Sequence, residues 1–235
     1  MLTNNEIGTV NPLHELKVPK ERFNAVVFSD ITQALGKMPV DVHEMGIDMA
    51  AFSAHKIYGP KGVGALFKRT GEPKIELEPL IHGGGQEQGL RGGTLNVPGI
   101  VGFGETCRIL KEEFEDEVRR IRGMRDWLEQ RLRQEITGIR INGKKNKRIC
   151  NTSSVTIKDV DARVLIRDIY TVAISTRAAC STSHDGPSHV LKAIGLSDEQ
   201  AYSTVRFSLG RFTTKEEVDE AVDRLIASVK KLRAN

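Results

Sequence analysis

Short apolar runs that end at polar or glycine-rich turns recur along this chain, and helical segments separate many of them. In the N-terminal half these runs occupy residues 25–28, 49–52 and 63–67. Each run is too short for a helix and is bounded by turn residues, so we predict three buried strands. The C-terminal half continues the pattern, with strands predicted at 155–157, 172–175 and 205–208. Strands that alternate with helices predict an α/β fold.

A long helical repeat occupies the middle of the chain. Apolar side chains recur at helical spacing from Pro98, which is suited to the first turn of a helix, down to Gly138. Such a helix is far longer than usual, so we expect it to bend near Gly123 and to connect two domains. A last helix is predicted after Thr214, because Thr214 and Glu217 have the spacing of a capping box.

The composition argues against several classes of protein. The chain has 235 residues and a net charge of +4, an excess too small to indicate nucleic-acid binding. It contains neither a stretch long and apolar enough to span a membrane nor a signal-peptide pattern, so we expect a soluble, cytoplasmic protein without membrane contacts. The histidines and cysteines do not have metal-ligand spacing, and no metal site is predicted. The charge run at residues 144–148 is interpreted as a solvated loop.

The three cysteines differ in their surroundings. An odd number of cysteines at wide spacing argues against a disulfide framework and is consistent with a reducing compartment. Cys107 and Cys150 lie at apolar or strand-edge positions, so we predict that both are in the core. Cys180 lies among small and polar residues between a predicted strand and a predicted helix, in a loop of the kind that carries functional groups.

Lys56 and Asp30 each follow a predicted strand of the N-terminal half. Taken alone, Lys56 would be interpreted as a solvated surface lysine. Two successive strands would, however, bring its amine and the Asp30 carboxylate to one sheet edge, where α/β folds bind ligands. Pyridoxal phosphate requires this pair, because a lysine holds its aldehyde while a carboxylate keeps its pyridine nitrogen protonated.

Motifs spread over almost the whole chain resemble those of cysteine desulfurases of the NifS/IscS type. The motifs are Asn4-Asn5-Glu6-Ile7-Gly8, Asp30-Ile31-Thr32-Gln33, Ser53-Ala54-His55-Lys56, His82-Gly83-Gly84-Gly85, Arg91-Gly92-Gly93-Thr94 and Arg206-Phe207-Ser208-Leu209-Gly210. The resemblance implies a fold-type-I, pyridoxal-phosphate-dependent transferase fold of the aspartate aminotransferase kind. It also implies a large-domain part at residues 1–110 and a small α/β domain at 111–235.

The resemblance also implies how the cofactor is held. Lys56 is expected to bind its aldehyde and Asp30 its pyridine nitrogen. The other cofactor contacts implied are Asn5 and Gln33 near the phenolic oxygen, Ser53 and His55 at the phosphate, and Thr94 at the phosphate of a partner subunit in a homodimer. Lys56, His55 and Cys180 are the implied catalytic residues.

For the substrate, the resemblance implies that Arg206 and Asn5 bind L-cysteine, although Arg206 alone would be interpreted as a strand-end salt bridge. Cys180 is expected to attack the sulfur of the bound L-cysteine, which leaves L-alanine and a persulfide. Sulfur then passes to an acceptor such as an iron–sulfur scaffold or a thiolation carrier, without direct binding to nucleic acid. A transient iron–sulfur ligand role for Cys180 is also implied.

Two departures from the family leave alternatives open. Arg177 stands near Cys180 where relatives commonly have glycine, which bears on the choice of acceptor. Relatives also carry further chain upstream of the Asn4-Asn5-Glu6 motif, so the sequence is interpreted as a truncated or split enzyme, or as the product of a mis-started gene. The alternatives are a selenocysteine lyase, another enzyme using the same cofactor, and a binding module without cofactor.

Overall fold

The computed structural model describes residues 1–72, 74–176 and 186–234. The chain divides into two compact units: unit 1 comprises residues 1–2 and 11–114, and unit 2 comprises residues 3–10 and 115–235. The long central helix contributes to both units. The predicted division at residue 110 stays a prediction, and residues 3–10 pack with the C-terminal part.

Unit 1 contains a small sheet and several helical segments. Its elements are the 3-10 helix Leu13–Leu16, α1 (Lys17–Phe23), β1 (Phe28–Asp30), β2 (Met49–Ser53), the 3-10 helix Ala54–Ile57, β3 (Gly64–Lys68), the 3-10 helix Gln86–Gly89 and the first part of α2 (Val97–Glu135). The sheet order is β1-β2-β3. β1 runs parallel to β2, whereas β3 is antiparallel to β2.

Two predictions about these strands were wrong. The first strand begins at Phe28 rather than at residue 25, because the Val27 N–H donates to the Asp48 carboxylate at 2.9 Å instead of to a neighbouring strand. The strands are also not fully buried, since Phe28 and Leu66 are exposed. The described part of unit 1 leaves these two side chains uncovered.

A buried carboxylate stabilises the start of this sheet. Asp48 directly precedes β2 and accepts hydrogen bonds from Lys20 Nζ and Arg69 Nε, each at 2.7 Å, in addition to the one from Val27. Burial acts to raise the Asp48 pKa, but these hydrogen bonds stabilise the charged form more strongly. Its pKa is therefore below the usual value for an aspartate.

The helix α2 runs without interruption through Gly123, from Val97 to Glu135. In unit 1 it packs Phe103 against Ala54 and Ile57, and this cluster supports the chain that follows β2. Cys107 is exposed on the same helix, so the prediction that it lies in the core was wrong. Among the described helices, none is long and apolar enough to cross a membrane.

Unit 2 is built on an antiparallel sheet with the order β4-β5-β6. Its elements are the second part of α2, β4 (Ile139–Ile141), β5 (Thr152–Ile157), α3 (Ala162–Asp168), α4 (His189–Ala193), α5 (Asp198–Tyr202), β6 (Thr204–Ser208) and α6 (Lys215–Ala234). The described residues 172–175 do not form the predicted strand; an isolated bridge joins Ser175 to Arg206 there. Cys150 is buried, as predicted.

The helix α6 contributes buried apolar residues to unit 2. The capping box is confirmed: the Thr214 hydroxyl accepts from the Glu217 N–H, and the Glu217 carboxylate accepts from the Thr214 N–H. One apolar face of α6 is buried, and Val155 of β5, in the same unit, is fully buried. Each such aliphatic side chain contributes about 1.5–3 kcal/mol by leaving water.

The charge run at residues 144–148 is not a fully solvated loop, because the side chain of its last residue is buried. The Arg148 guanidinium donates to both carboxylate oxygens of Glu129, at 2.7 and 3.1 Å. Both side chains are nearly inaccessible to solvent. The interpretation of the whole run as solvated was therefore wrong at Arg148.

Candidate active site

Asp30 and Lys56 follow the carboxyl ends of two neighbouring parallel strands. Asp30 is the last residue of β1 and pairs with Ala51 of β2. β2 ends at Ser53, and Lys56 lies in the 3-10 helix that follows directly. Because parallel strands end at the same edge of a sheet, the two residues are brought to one edge, where ligands bind in α/β folds.

The turn after β2 leaves the Lys56 side chain in solvent. Lys56 is exposed, and its amine makes no hydrogen bond or ion pair with a described residue. Its main-chain carbonyl accepts a hydrogen bond from Lys37 Nζ at 3.2 Å. Tyr58 ends the 3-10 helix at φ +70°, a left-handed conformation that is uncommon for a bulky residue. Such strain is concentrated at functional turns.

The Asp30 carboxylate is oriented by its own backbone turn. Its Oδ1 accepts from the Thr32 N–H at 2.8 Å, and its main-chain carbonyl accepts from the Leu2 N–H at 2.8 Å. Gln33 is half-buried in the turn that follows. The carboxylate is therefore held at the sheet edge while it stays accessible to solvent.

Two hydrogen-bonding side chains accompany Lys56. Ser53 ends β2 and is half-buried, whereas His55 is exposed in the 3-10 helix. Within the part of the chain that the structure describes, neither side chain makes a hydrogen bond. A hydroxyl and an imidazole next to a lysine amine are suited to bind a phosphate group.

Thr94 follows a glycine-rich turn of unit 1. The Gly92 N–H donates to the Ile81 carbonyl at 2.9 Å, and a Cβ on Gly92 would come within 2.7 Å of the Gly83 nitrogen. This close backbone approach requires a glycine at position 92. Thr94 itself is exposed, and its side chain contacts no described residue through a hydrogen bond.

Arg206 and Asn5 meet in unit 2. Arg206 lies in the middle of β6 and is half-buried, and its Nη1 donates to the main-chain carbonyl of Asn5 at 2.8 Å. The structure thus brings together the two residues to which the resemblance assigned substrate binding. Asp30, Gln33, Ser53, His55, Lys56 and Thr94 lie in unit 1.

Sequence reasoning missed a neighbouring contact. The buried carboxylate of Glu6 accepts a hydrogen bond from Ser188 Oγ at 2.5 Å, and Ser188 is also the N-cap of α4. In the sequence, this contact was indicated by no more than the Asn4-Asn5-Glu6 motif and a serine after Pro187. Cys180 and Arg177 lie outside the described residues.

Known proteins are similar to this chain over most of its length. Residues 1–221 match the family model for class-V aminotransferases. This chain belongs to the class-V aminotransferase family. It is 42% identical over 233 residues to the mitochondrial cysteine desulfurase of Arabidopsis thaliana, a match that covers 99% of this chain and 51% of that protein. Cysteine desulfurase IscS of Salmonella schwarzengrund is 42% identical over 233 residues, which cover 99% of this chain and 57% of IscS.

A solved structure supports the same relationship. A NifS-like protein superposes with a TM-score of 0.86 at 35% identity, covering 98% of this chain and 60% of that one. The resemblance to NifS/IscS-type desulfurases and the expected fold-type-I α/β fold are both confirmed. This class-V aminotransferase chain spans 51–57% of the length of the curated relatives it matches.

Proposed function

We propose that this chain forms part of a pyridoxal-phosphate-dependent cysteine desulfurase that converts L-cysteine to L-alanine and transfers the sulfur to Cys180. The observation that carries the proposal is the placement of Lys56 and Asp30 at one edge of the parallel pair β1 and β2. The names of the relatives support it. In this proposal residues 1–110 belong to the cofactor-binding domain and 111–235 to the small domain.

The described residues of the sheet edge fit pyridoxal phosphate chemically. Lys56 offers an exposed amine without an ion pair to a described residue, and Asp30 offers an oriented carboxylate for the pyridine nitrogen. Ser53 and His55 would bind the phosphate, and Gln33 would bind near the phenolic oxygen. Asn5, to which the resemblance assigns a similar contact, lies in unit 2. When bound, the cofactor supplies an electron sink for carbanion chemistry.

In unit 2, Arg206 would bind the carboxylate of L-cysteine, for which a planar guanidinium is well suited. Its hydrogen bond to the Asn5 carbonyl orients the guanidinium before substrate arrives. Lys56 would move the proton at the substrate α-carbon, and His55 would assist it.

The sulfur transfer forms one bond and breaks another. The Cys180 thiolate attacks the sulfur of L-cysteine, so that a sulfur–sulfur bond forms while the carbon–sulfur bond breaks. The electron pair of the broken bond stays with the carbon fragment, which is protonated and released as L-alanine. The persulfide on Cys180 then transfers its outer sulfur to an acceptor protein such as an iron–sulfur scaffold.

The proposal includes a cytoplasmic homodimer. The dimer rests on the role that the resemblance implies for Thr94, a contact with the cofactor phosphate of a second subunit, and the Thr94 side chain is exposed as that role requires. Within the described part of the chain neither Cys107 nor Cys150 forms a disulfide, which is consistent with a reducing compartment.

A labelling experiment tests the cofactor site. The purified chain is incubated with pyridoxal phosphate, reduced with sodium borohydride and mapped by mass spectrometry. We expect the label on Lys56 and its loss in Lys56→Ala. Lys61→Ala, which removes another exposed lysine of the same turn, should leave the labelling unchanged. Equal labelling of Lys56 and Lys61 would contradict the proposed site.

A product assay tests the reaction. L-Alanine is measured after addition of L-cysteine, with the chain alone and with the upstream segment of IscS supplied as a second chain. We expect alanine in at least one mixture, its loss in Cys180→Ser and its retention in Cys107→Ser. If the Cys180→Ser variant still releases alanine from selenocysteine, this result would favour the lyase alternative. No alanine from the unaltered chain in either mixture would refute the desulfurase proposal.

A further inference from the structure

A surface groove of unit 2 lies apart from the residues assigned above. It lies between α2, the loop that follows β6 and the first turn of α6, and we call it the Trp127 groove. Its cavity volume is about 660 Å³, and it is lined by Arg120, Gly123, Met124, Trp127 and residues 211–215. This volume falls within the range of sites that hold small ligands or several side chains of a partner.

Gly123 leaves part of the groove open. It lies inside α2, where glycine costs up to about 1 kcal/mol relative to alanine. A Cβ built on Gly123 would meet no atom within 4 Å, so packing inside the chain does not require a glycine here. The missing side chain instead leaves space on the groove surface.

The groove presents large apolar surfaces to solvent. Phe212 is 78% exposed, although it is among the larger apolar side chains of unit 2. Trp127 is half-buried beside it in the lining, with its indole N–H donating to Asp219 Oδ1 at 2.6 Å. The polar edge of the indole is therefore already bound, and the part of the ring that Lys215 does not cover remains for an apolar partner group.

The charge of the groove is positive. Among its lining residues only Arg120, Arg211 and Lys215 carry a formal charge. Lys215 lies over the Trp127 ring at 5.4 Å, and Arg120 donates to the main-chain carbonyls of Arg211 and Thr213. Neither Lys215 nor Arg120 forms an ion pair with a residue that the structure describes.

The nearby carboxylates form their contacts with groups other than these two cations. Glu117 pairs with Arg211, Glu217 accepts from the Thr214 N–H, and Asp219 accepts from Trp127. Glu216 is exposed in the first turn of α6 and does not line the groove. Among the described residues none of these carboxylates forms an ion pair with Lys215 or Arg120, so both cations can bind an external anion.

We propose that the Trp127 groove binds an acidic segment of a partner protein that inserts a large apolar side chain. The apolar side chain would lie against Trp127 and Phe212 above Gly123, and flanking carboxylates would approach Lys215 and Arg120. Aromatic and arginine side chains are enriched where interfaces gain most of their binding energy. The proposal does not depend on the cofactor site.

The test uses the 235-residue chain and a defined peptide. The probe is fluorescein-labelled Glu-Asp-Phe-Leu-Asp-Glu, whose binding is followed by anisotropy. Trp127 is the only tryptophan of the chain, so its emission, recorded with unlabelled peptide, reports whether binding occurs in the groove. We expect saturable binding that changes this emission. Replacement of Phe and Leu in the peptide by Ser should abolish it.

Variants separate the groove from general attraction between opposite charges. Gly123→Leu fills the open space and improves helix propensity, so it should fold at least as stably and weaken binding by at least about tenfold. Lys215→Gln should weaken binding by about threefold at low salt, an effect reduced at high salt. Lys230→Gln makes the same charge change on an exposed part of α6 outside the groove and should leave binding unchanged.

Three results would overturn the proposal. The first is no change in Trp127 emission at saturating peptide. The second is a folded Gly123→Leu chain, verified by circular dichroism, that binds the peptide as tightly as the unaltered chain. The third is self-association, measured by sedimentation, that Gly123→Leu abolishes, because this would assign the groove to a second copy of the chain.

Discussion

Replacement of Glu129 by glutamine should destabilise unit 2 by far more than an ordinary surface change. The Glu129 side chain is only 4% exposed and that of Arg148 only 7%. Glu129 also accepts from Ser153 Oγ at 2.8 Å and from Arg133 Nη2 at 3.3 Å. Glu129→Gln keeps the shape of the side chain but leaves the Arg148 guanidinium buried without a counter-charge.

The expected cost follows from this geometry. Removal of one partner from a buried ion pair costs about 3–5 kcal/mol, because the remaining charge stays desolvated. The amide oxygen of glutamine still accepts one hydrogen bond, so we expect the lower end, about 3 kcal/mol. This corresponds to a change of somewhat more than a hundredfold in the unfolding equilibrium constant.

Urea denaturation followed by Trp127 emission measures this cost, because the single tryptophan lies in unit 2 on the same helix as Glu129. The matched control is Glu115→Gln, the same chemical change at an exposed position of that helix, for which we expect a change below about 0.5 kcal/mol. The double variant Glu129→Leu/Arg148→Met removes both charges and should recover most of the loss. A loss below about 1 kcal/mol in Glu129→Gln would refute the reasoning.

Three further predictions concern other positions. The Asp48 pKa is lowered on folding, so the contribution of its charged form to stability is present above the unfolded-state pKa near 3.8 and is lost as the pH falls below that value. In thermal melts, the melting temperature of Asp48→Asn should therefore decrease less over this pH range than that of the unaltered chain. Thr214→Ala should cost about 1 kcal/mol in urea denaturation through loss of the α6 cap, whereas Thr214→Ser should retain it. Although Cys107 is exposed, neighbouring atoms partly desolvate its thiol and raise its pKa. Its alkylation by iodoacetamide, quantified by peptide mass spectrometry, should therefore reach half its maximal rate at a higher pH than for free cysteine.

The features that sequence predicted well depend on residues close together in the chain. The α6 cap requires only Thr214 and Glu217, and both of its hydrogen bonds form. The first strand was displaced because Asp48, distant in sequence, takes the Val27 N–H. The predicted strand at 172–175 failed for a similar reason: its pairing depends on β6, where only Ser175 makes a bridge. Such long-range pairings leave little trace in local patterns.

Cys107 shows where helical periodicity loses precision. Phe103 and Cys107 are four residues apart, so their directions differ by about 40° around the helix. Phe103 packs in the cluster of unit 1, to which Leu110 also contributes. At the same helical spacing, Leu110 is rotated about 20° from Phe103 in the direction opposite to Cys107. Cys107 therefore lies at the margin of the packed face. Apolar spacing therefore identified the helix correctly but not the edge of its buried face.

In the candidate site too, some positions follow from local sequence patterns and others depend on contacts between residues distant in sequence. The sheet-edge positions of Asp30 and Lys56 followed from strand ends that the sequence marks directly. The Asn4-Asn5-Glu6 motif is joined in sequence to unit 1 but packs in unit 2, where Asn5 accepts from Arg206 across 201 residues and Glu6 accepts from Ser188 across 182. Because both partners lie in unit 2, the position of Asn5 beside Arg206 is set within one compact unit. The substrate end of the proposed site thus depends on contacts that no local pattern encodes, and only the family resemblance associated these residues in advance.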